Sequence, residues 1–274
     1  MFVEGYADGG VPLDRVIRLS KVVGHDVEVE VNDLVQGYGG APVIRGLTMT
    51  LRTGVTALLG PNGAGKSTLL RTLATVLPPR SGGIIVDGVM VQGESSARAV
   101  RDQIGYLPQS FGYDPRMRLI DFVEYAAWLR GVPSVARAAS ASAAVELVDL
   151  TDQRRTRMGK LSGGMRQRAG IAWAVVGSPK VVLLDEPTVG LDPRQRLQFR
   201  KIISSLTDAV VLLSTHLIDD VSAICDDVLV MHGGEVKFSG PVTGLAELDR
   251  IDLPGHTPLE RAYMNLLPEQ DQRL

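Results

Sequence analysis

Cysteine occurs once in the 274 residues, at Cys225, so the chain can form no internal disulfide; that thiol reads as a small buried apolar side chain. Aromatic residues make up only 5% of the chain. Lysine plus arginine (29) nearly balance aspartate plus glutamate (31), for a net charge of -2. Such a balance gives no global basic field, and no basic patch stands out along the chain. Nonspecific attraction to nucleic acid or to an anionic membrane is therefore not expected. No run approaches the roughly 20 apolar residues that cross a bilayer. Glu4 and Asp8 stand where a secretory leader carries basic residues. A membrane role would need an anchor supplied by another chain.

What the chain does have is 45% hydrophobic residues, enough for a sizeable core in one large domain or two small ones. Residues 1–26 mix Gly9, Gly10 and Pro12 with a short apolar patch and carry no motif; they read as a flexible arm or an added helix. From Val27 the alternation of Val27, Val29 and Val31 predicts an edge strand, followed by a turn over residues 37–42 and a second strand around residues 47–51. Residues 55–59 form an apolar run into a glycine-rich loop, and residues 67–76 predict a helix. Residues 84–91 read as two short strands around an Asp87-Gly88 turn.

From about residue 110 to 160 the pattern becomes helical. Leu119, Phe122, Val123 and Ala126 recur at helical spacing, and a second helix is expected from near Ser134, after Pro133, to Leu150. The continuous apolar runs at residues 181–184 and 210–213 are those of buried parallel strands, and a closing hairpin is expected around His232-Gly233-Gly234. In the tail, Thr257-Pro258-Leu259-Glu260 is a capping-box pattern with proline at the first helical position. Leu259, Ala262, Tyr263 and Leu266 then make an apolar stripe that predicts a short docking helix.

Three short segments carry chemistry. Gly60, Pro61, Asn62, Gly63, Ala64, Gly65, Lys66, Ser67 and Thr68 meet the phosphate-loop spacing in full, between an apolar strand and a helix. There the backbone N-H groups and the helix start can surround phosphates, Lys66 adds a point charge, and the Ser67 hydroxyl suits Mg2+. Asp185 and Glu186 follow a buried strand, which places them where α/β sheets bind ligands; Asp185 would hold Mg2+ and Glu186 would act as general base. The next buried run delivers Ser214-Thr215-His216 to the same end, which makes His216 a candidate to bond a γ-phosphate and orient water. About a hundred residues after the phosphate loop, Ser162, Gly163 and Gly164 precede a predicted helix, so a hydroxyl, backbone N-H groups and a positive helix end can face one anion.

On these residues, residues 27–244 resemble the ATP-binding subunits of ABC transporters, with every expected element in the expected order. The matching positions are Tyr38 for the aromatic that stacks on adenine, residues 60–68 for Walker A, Gln109 for the Q-loop and residues 161–165 for the signature. Residues 181–186 match Walker B with Glu186 as its catalytic glutamate, Gly190-Leu191-Asp192 the D-loop, and His216 the switch histidine. The resemblance implies an α/β fold: a P-loop NTPase core with an antiparallel β subdomain, a helical insert at about residues 110–160, and a tail from residue 245 onward. It implies ATP and Mg2+ as ligands, with Ser67, Gln109 and Asp185 on the metal, Gln109 also sensing the site's state, and Asp192 among the nucleotide-facing residues.

It further implies hydrolysis carried by Glu186, His216, Gln109 and Lys66 within a head-to-tail dimer, with an identical or closely related second subunit. In that dimer Ser162, Gly163 and Gly164 of one chain face the γ-phosphate held by the other. Met165 and Val189 depart from the commoner glutamine and serine without touching the phosphate-facing residues. The wording around the signature, Met158-Gly159-Lys160 and Met165-Arg166-Gln167-Arg168, is most similar to stand-alone exporter subunits that pair with a separate multi-span permease. That pairing would hold the chain on the cytoplasmic face of the membrane. Phe111, Tyr113, Met117, Phe122, Tyr125 and Trp128 give the insert aromatic material for a permease-binding groove or for its own core. An importer subunit carries the same motifs. The other competing class, soluble ABC-type ATPases acting on DNA or ribosomes, adds long coiled coils or a second ATPase half, and this chain has neither.

Overall fold

A computed structural model describes residues 27–268; the expected N-terminal extension and the last six residues of the tail lie outside the described residues. The strands are β1 (Glu28–Gln36), β2 (Ile44–Arg52), β3 (Gly54–Leu59), β4 (Ser81–Val86), β5 (Val89–Val91), β6 (Ile104–Leu107), β7 (Val181–Leu184), β8 (Val210–Ser214), β9 (Asp227–His232) and β10 (Glu235–Pro241). The helices are α1 (Lys66–Leu73), α2 (Glu94–Val100), α3 (Leu119–Leu129), α4 (Ser134–Leu147), α5 (Gly163–Val175), α6 (Pro193–Ser204), α7 (Ile218–Ile224), α8 (Val242–Ala246) and α9 (Pro258–Asn265).

Two sheets form. The antiparallel one has the order β2-β1-β4-β5, and the larger one runs β10-β9-β3-β8-β7-β6, parallel from β9 to β6 with β10 antiparallel at its edge. β1 is thus an interior strand, paired with both β2 and β4, and not the edge strand its alternation suggested. The alternation has another cause. One face of the antiparallel sheet buries Val29, Val31 and Leu34 against the core while the other faces solvent, which gives period two at any position in such a sheet. In β3, β7 and β8 both faces are covered, so the buried runs are continuous.

Helix α1 stops at Leu73, short of residue 76, because Thr75 adopts a left-handed φ of 57° and the Val76 N-H turns back to the Arg71 carbonyl. The Asp87-Gly88 turn takes positive φ at both residues, 48° and 77°, as a tight hairpin requires. Strand β6 carries no strong pattern because Gly105 interrupts it. A Cβ there would lie 1.9 Å from the Ala174 carbonyl oxygen, so helix α5 sits directly on this strand. Helix α9 begins with the anticipated reciprocal cap between Thr257 and Glu260 and docks through buried Leu259 and Ala262. A bidentate ion pair between Arg261 and Asp249 lies at the same junction.

The expectation of no basic patch does not hold locally. Arg118 and Arg157 face each other through a backbone bridge, with Arg154, Arg155 and Lys160 exposed on the same two segments and Arg116 ion-paired to Asp114. A whole-chain charge near zero conceals such a cluster because its members come from segments about 40 residues apart in sequence.

Candidate functional site

Strand register assembles the site. Parallel pairing sets Leu107 beside Leu184, Leu184 beside Leu213, and Leu58 beside Ser214. The residues that leave these strands, Gln109 after β6, Asp185 and Glu186 after β7, His216 after β8 and Gly60 after β3, therefore emerge along one edge of the sheet. That is the carboxyl edge, where open α/β sheets take ligands.

At Gly60 the chain turns so close to β9 that a Cβ would lie 2.4 Å from the Met231 carbonyl oxygen, and only glycine fits. The loop then opens into helix α1. Lys66 is 6% exposed, and its ammonium donates to the Gly60 carbonyl at 2.6 Å and the Pro61 carbonyl at 3.1 Å. Burial pulls its pKa below the ordinary lysine value, and the Glu186 and Asp185 carboxylates push it back up.

Asp185 is 1% exposed and accepts a 2.8 Å hydrogen bond from the Ser214 hydroxyl. The Ser214 oxygen in turn accepts from the Glu186 backbone N-H at 2.8 Å. Glu186 holds a left-handed φ of 48°, a conformation a non-glycine residue adopts at a cost of about 1 kcal/mol or more, and one that recurs at active sites. Its carboxylate accepts from the Gln109 amide nitrogen at 2.8 Å, which leaves the Gln109 amide oxygen free for a metal.

Ser214, quoted in the sequence only as part of a strand end, is the junction that fixes both acids. Its one signal was its place before His216. Replacing it with alanine leaves the buried Asp185 carboxylate short of a charge-assisted bond worth about 1.5–3 kcal/mol. Ser214→Ala is expected to raise the Mg2+ concentration that half-saturates ATP hydrolysis about tenfold, as a metal titration of the hydrolysis rate will show.

Of the remaining expected residues, His216 shares this edge and the others lie elsewhere. Tyr38 lies on the loop between β1 and β2, 55% exposed, its hydroxyl 3.5 Å from Arg71 Nη1. His216 is exposed just past β8. Asp192 caps helix α6: its carboxylate accepts from the Gln195 N-H at 2.9 Å, and the Gln195 side chain accepts from the Asp192 N-H. Ser162 caps α5, its oxygen accepting from the Met165 N-H at 3.3 Å, so its own hydrogen is free to donate elsewhere.

The Gly163 α-carbon faces open space, and Gly164 packs on the Gln195 side chain. The Gln167 amide ties α5 to the Pro187 carbonyl behind Glu186, a link with no sequence signal. Among the described residues no hydrogen bond joins residues 162–164 to residues 60–68.

The insert's aromatics divide. Phe122 is buried, with Phe111, Tyr113 and Met117 packed against the same core. Tyr125 and Trp128, 45% and 52% exposed, stack with centroids 5.6 Å apart on the outside. Cys225 lies packed against two core clusters with its thiol pushed up to about 12 by burial, an inert group.

The residues fit Mg2+ with a nucleoside triphosphate. The glycine cradle excludes side chains, and a hydroxyl, a carboxylate and an amide oxygen are the hard donors this ion takes. Among the described residues no three His, Cys, Asp or Glu side chains cluster as a metal cage, so phosphate oxygens would complete the coordination.

A protein-family model described as ABC transporter matches residues 44–189. The chain is 36% identical over 229 residues to the "Probable multidrug ABC transporter ATP-binding protein YbhF" of Escherichia coli strain K12, covering 81% of this chain and 39% of that one. It is 34% identical over 220 residues to the methionine import ATP-binding protein MetN of Mesorhizobium japonicum, covering 78% of this chain and 60% of that one. The chain thus spans about two fifths of the length of YbhF and three fifths of that of MetN. A solved ATP-binding subunit of an ABC transporter superposes with a TM-score of 0.75 at 27% identity, over 87% of this chain and 98% of that one.

Proposed function

The chain belongs to the ABC transporter ATP-binding family, and we propose that it binds and hydrolyses ATP to drive export through a separate membrane-spanning permease. The observation that carries the ATPase reading is the convergence of Lys66, buried Asp185 and Gln109-held Glu186 on one sheet edge beside a glycine cradle.

In this reading the backbone N-H groups of residues 63–66 and the α1 terminus take the phosphates, and the Lys66 ammonium exchanges two neutral carbonyls for phosphate oxygens. Ser67, Asp185 and Gln109 would hold Mg2+, which would supply charge neutralisation at those oxygens when bound. Glu186 accepts the proton of the attacking water, with Gln109 orienting its carboxylate, and His216 bonds the γ-phosphate. Ser162 and the N-H groups of Gly163 and Gly164 receive the γ-phosphate held by a second copy, a role that the exposure of Ser162 and Gly163 supports. ATP closes this dimer and hydrolysis releases it.

No helix among the described residues is long and apolar enough to cross a membrane. In this reading the permease is a separate chain, which would hold this one on the inner face. The exposed Tyr125–Trp128 pair offers that partner an apolar contact. Export is favoured by the signature wording and by the relative named for multidrug transport; the similarity to MetN supports import as the second reading.

The test is affinity capture of the Glu186→Gln chain in ATP and Mg2+ from gently solubilised native membranes, read by mass spectrometry. A multi-span membrane protein in about equal amount is expected, and its identity decides direction. Recovery of only soluble or ribosomal partners overturns the transporter reading and leaves the ATPase reading standing.

A further inference from the structure

The loop that carries Tyr38 has little to hold it by composition. Gly37, Gly39 and Gly40 lie within four positions, and such a stretch loses more backbone freedom on ordering than any other. It is nonetheless fastened from outside. Arg80 Nη2 donates to the Gly39 carbonyl at 2.8 Å and Arg80 Nη1 to the Gly40 carbonyl at 2.9 Å, a fork across consecutive residues. Arg71, from the last turn of α1, places Nη1 3.5 Å from the Tyr38 hydroxyl.

The anchor is itself anchored. The Arg80 N-H donates to the Val35 carbonyl at 3.0 Å, and the Gln36 amide donates to the Pro78 carbonyl at 2.5 Å, so residues 78–80 run as a strut beside the loop. The Gln36 side-chain oxygen also accepts from the Gly37 N-H at 2.7 Å. With the backbone on both sides of it held and its hydroxyl 3.5 Å from Arg71, Tyr38 stays 55% exposed.

We propose that Arg80, assisted by Arg71, is a positioning residue for the nucleotide base: it pre-orders the Tyr38 loop as a stacking platform, so that ATP binding does not have to order a glycine-rich loop. The inference rests on the reading that Tyr38 stacks on adenine. Arginine is required because its planar fork spans two carbonyls at once, which the single ammonium of lysine cannot do. Preorganisation of this kind raises affinity without touching the ligand.

The test is isothermal titration calorimetry of MgATP and of Mg-tripolyphosphate on the full chain and its Arg80→Ala, Arg80→Lys, Tyr38→Ala and Arg80→Ala/Tyr38→Ala variants. Base–aromatic stacking energies convert to about tenfold or more in affinity, the loss expected for ATP in Tyr38→Ala. Arg80→Ala and Arg80→Lys are each expected to weaken ATP about five- to tenfold, within that limit. Tripolyphosphate, which has no base, should bind all variants alike, and the double variant should bind ATP no more weakly than Tyr38→Ala alone.

Equal losses for ATP and tripolyphosphate in Arg80→Ala, or additive losses in the double variant, overturn the proposal in favour of a general structural role. A Tyr38→Ala loss with ATP binding unchanged in Arg80→Ala also overturns it and leaves stacking in place. A Tyr38→Ala chain that binds ATP like the wild type removes the stacking reading and this proposal with it.

Discussion

Glu186→Gln is expected to bind ATP nearly as tightly as the wild type and to hydrolyse it about 10²–10⁴ times more slowly, the range a positioned general base supplies. The substitution keeps the side chain's size and its capacity to accept from Gln109 Nε2, so the 2.8 Å contact that orients this position survives. What it removes is the proton acceptor. Because hydrolysis is proposed to open the dimer, stalling it should trap two chains around two ATPs. Light scattering after size-exclusion chromatography is expected to show a dimer in ATP and Mg2+ and a monomer in ADP. The Glu186 backbone matters to this outcome as well, since its left-handed φ is held by the N-H bond to Ser214 and glutamine inherits that conformation unchanged. A variant that hydrolyses within threefold of the wild type would move the base elsewhere, while one that binds ATP tightly yet stays monomeric would break the link between nucleotide and assembly.

The parts of this site that were legible in the sequence are those whose chemistry is local. The phosphate loop announces itself because a glycine-lined turn, a lysine and a hydroxyl must follow one another at fixed spacing, and the serine-glycine turn because it must open a helix. The strands β3, β7 and β8 were legible because burial on both faces leaves no polar residue to interrupt them. Strand β6 was not, since Gly105 is chosen by the approach of α5, a neighbour some 70 residues away in sequence, and the period of a four-residue strand is too short to read past it. The interior place of β1 was missed because alternation reports one wet face, not the number of hydrogen-bonded neighbours. The Ser214 junction, the Arg80 fork and the facing arginines 118 and 157 are contacts between residues 28 to 41 positions apart, which leave no periodic trace. In each case the missed feature is a pairing between elements, and the legible one is a property of a single element.

Lys66→Ala is expected to weaken ATP binding on the order of a hundredfold, the equivalent of about 3 kcal/mol from charge-assisted bonds to phosphate. The ammonium is buried with two neutral carbonyls as its hydrogen-bond partners and the carboxylates of Glu186 and Asp185 acting at longer range, and burial lowers its pKa below the ordinary 10.5. A triphosphate supplies the countercharge that the folded chain leaves incomplete, so binding should favour the protonated lysine and raise its pKa again. Two pH effects of opposite sign follow. In the nucleotide-free chain the unfolded state, with the higher lysine pKa, binds a proton that the folded state gives up. This group's contribution to stability therefore rises with pH from the lowered folded value towards 10.5. ATP affinity should fall over the same alkaline interval as the protonated form is lost. Both trends are read as differences between the wild type and Lys66→Ala, which cancels the other alkaline titrations. Thermal melts without nucleotide and calorimetric titrations with ATP, each repeated from neutral to alkaline pH, measure them. An alanine variant that keeps ATP affinity within threefold, or wild-type affinity that rises with pH relative to it, would mean that Lys66 is held by its two carbonyls in the bound state too and does not reach the phosphates.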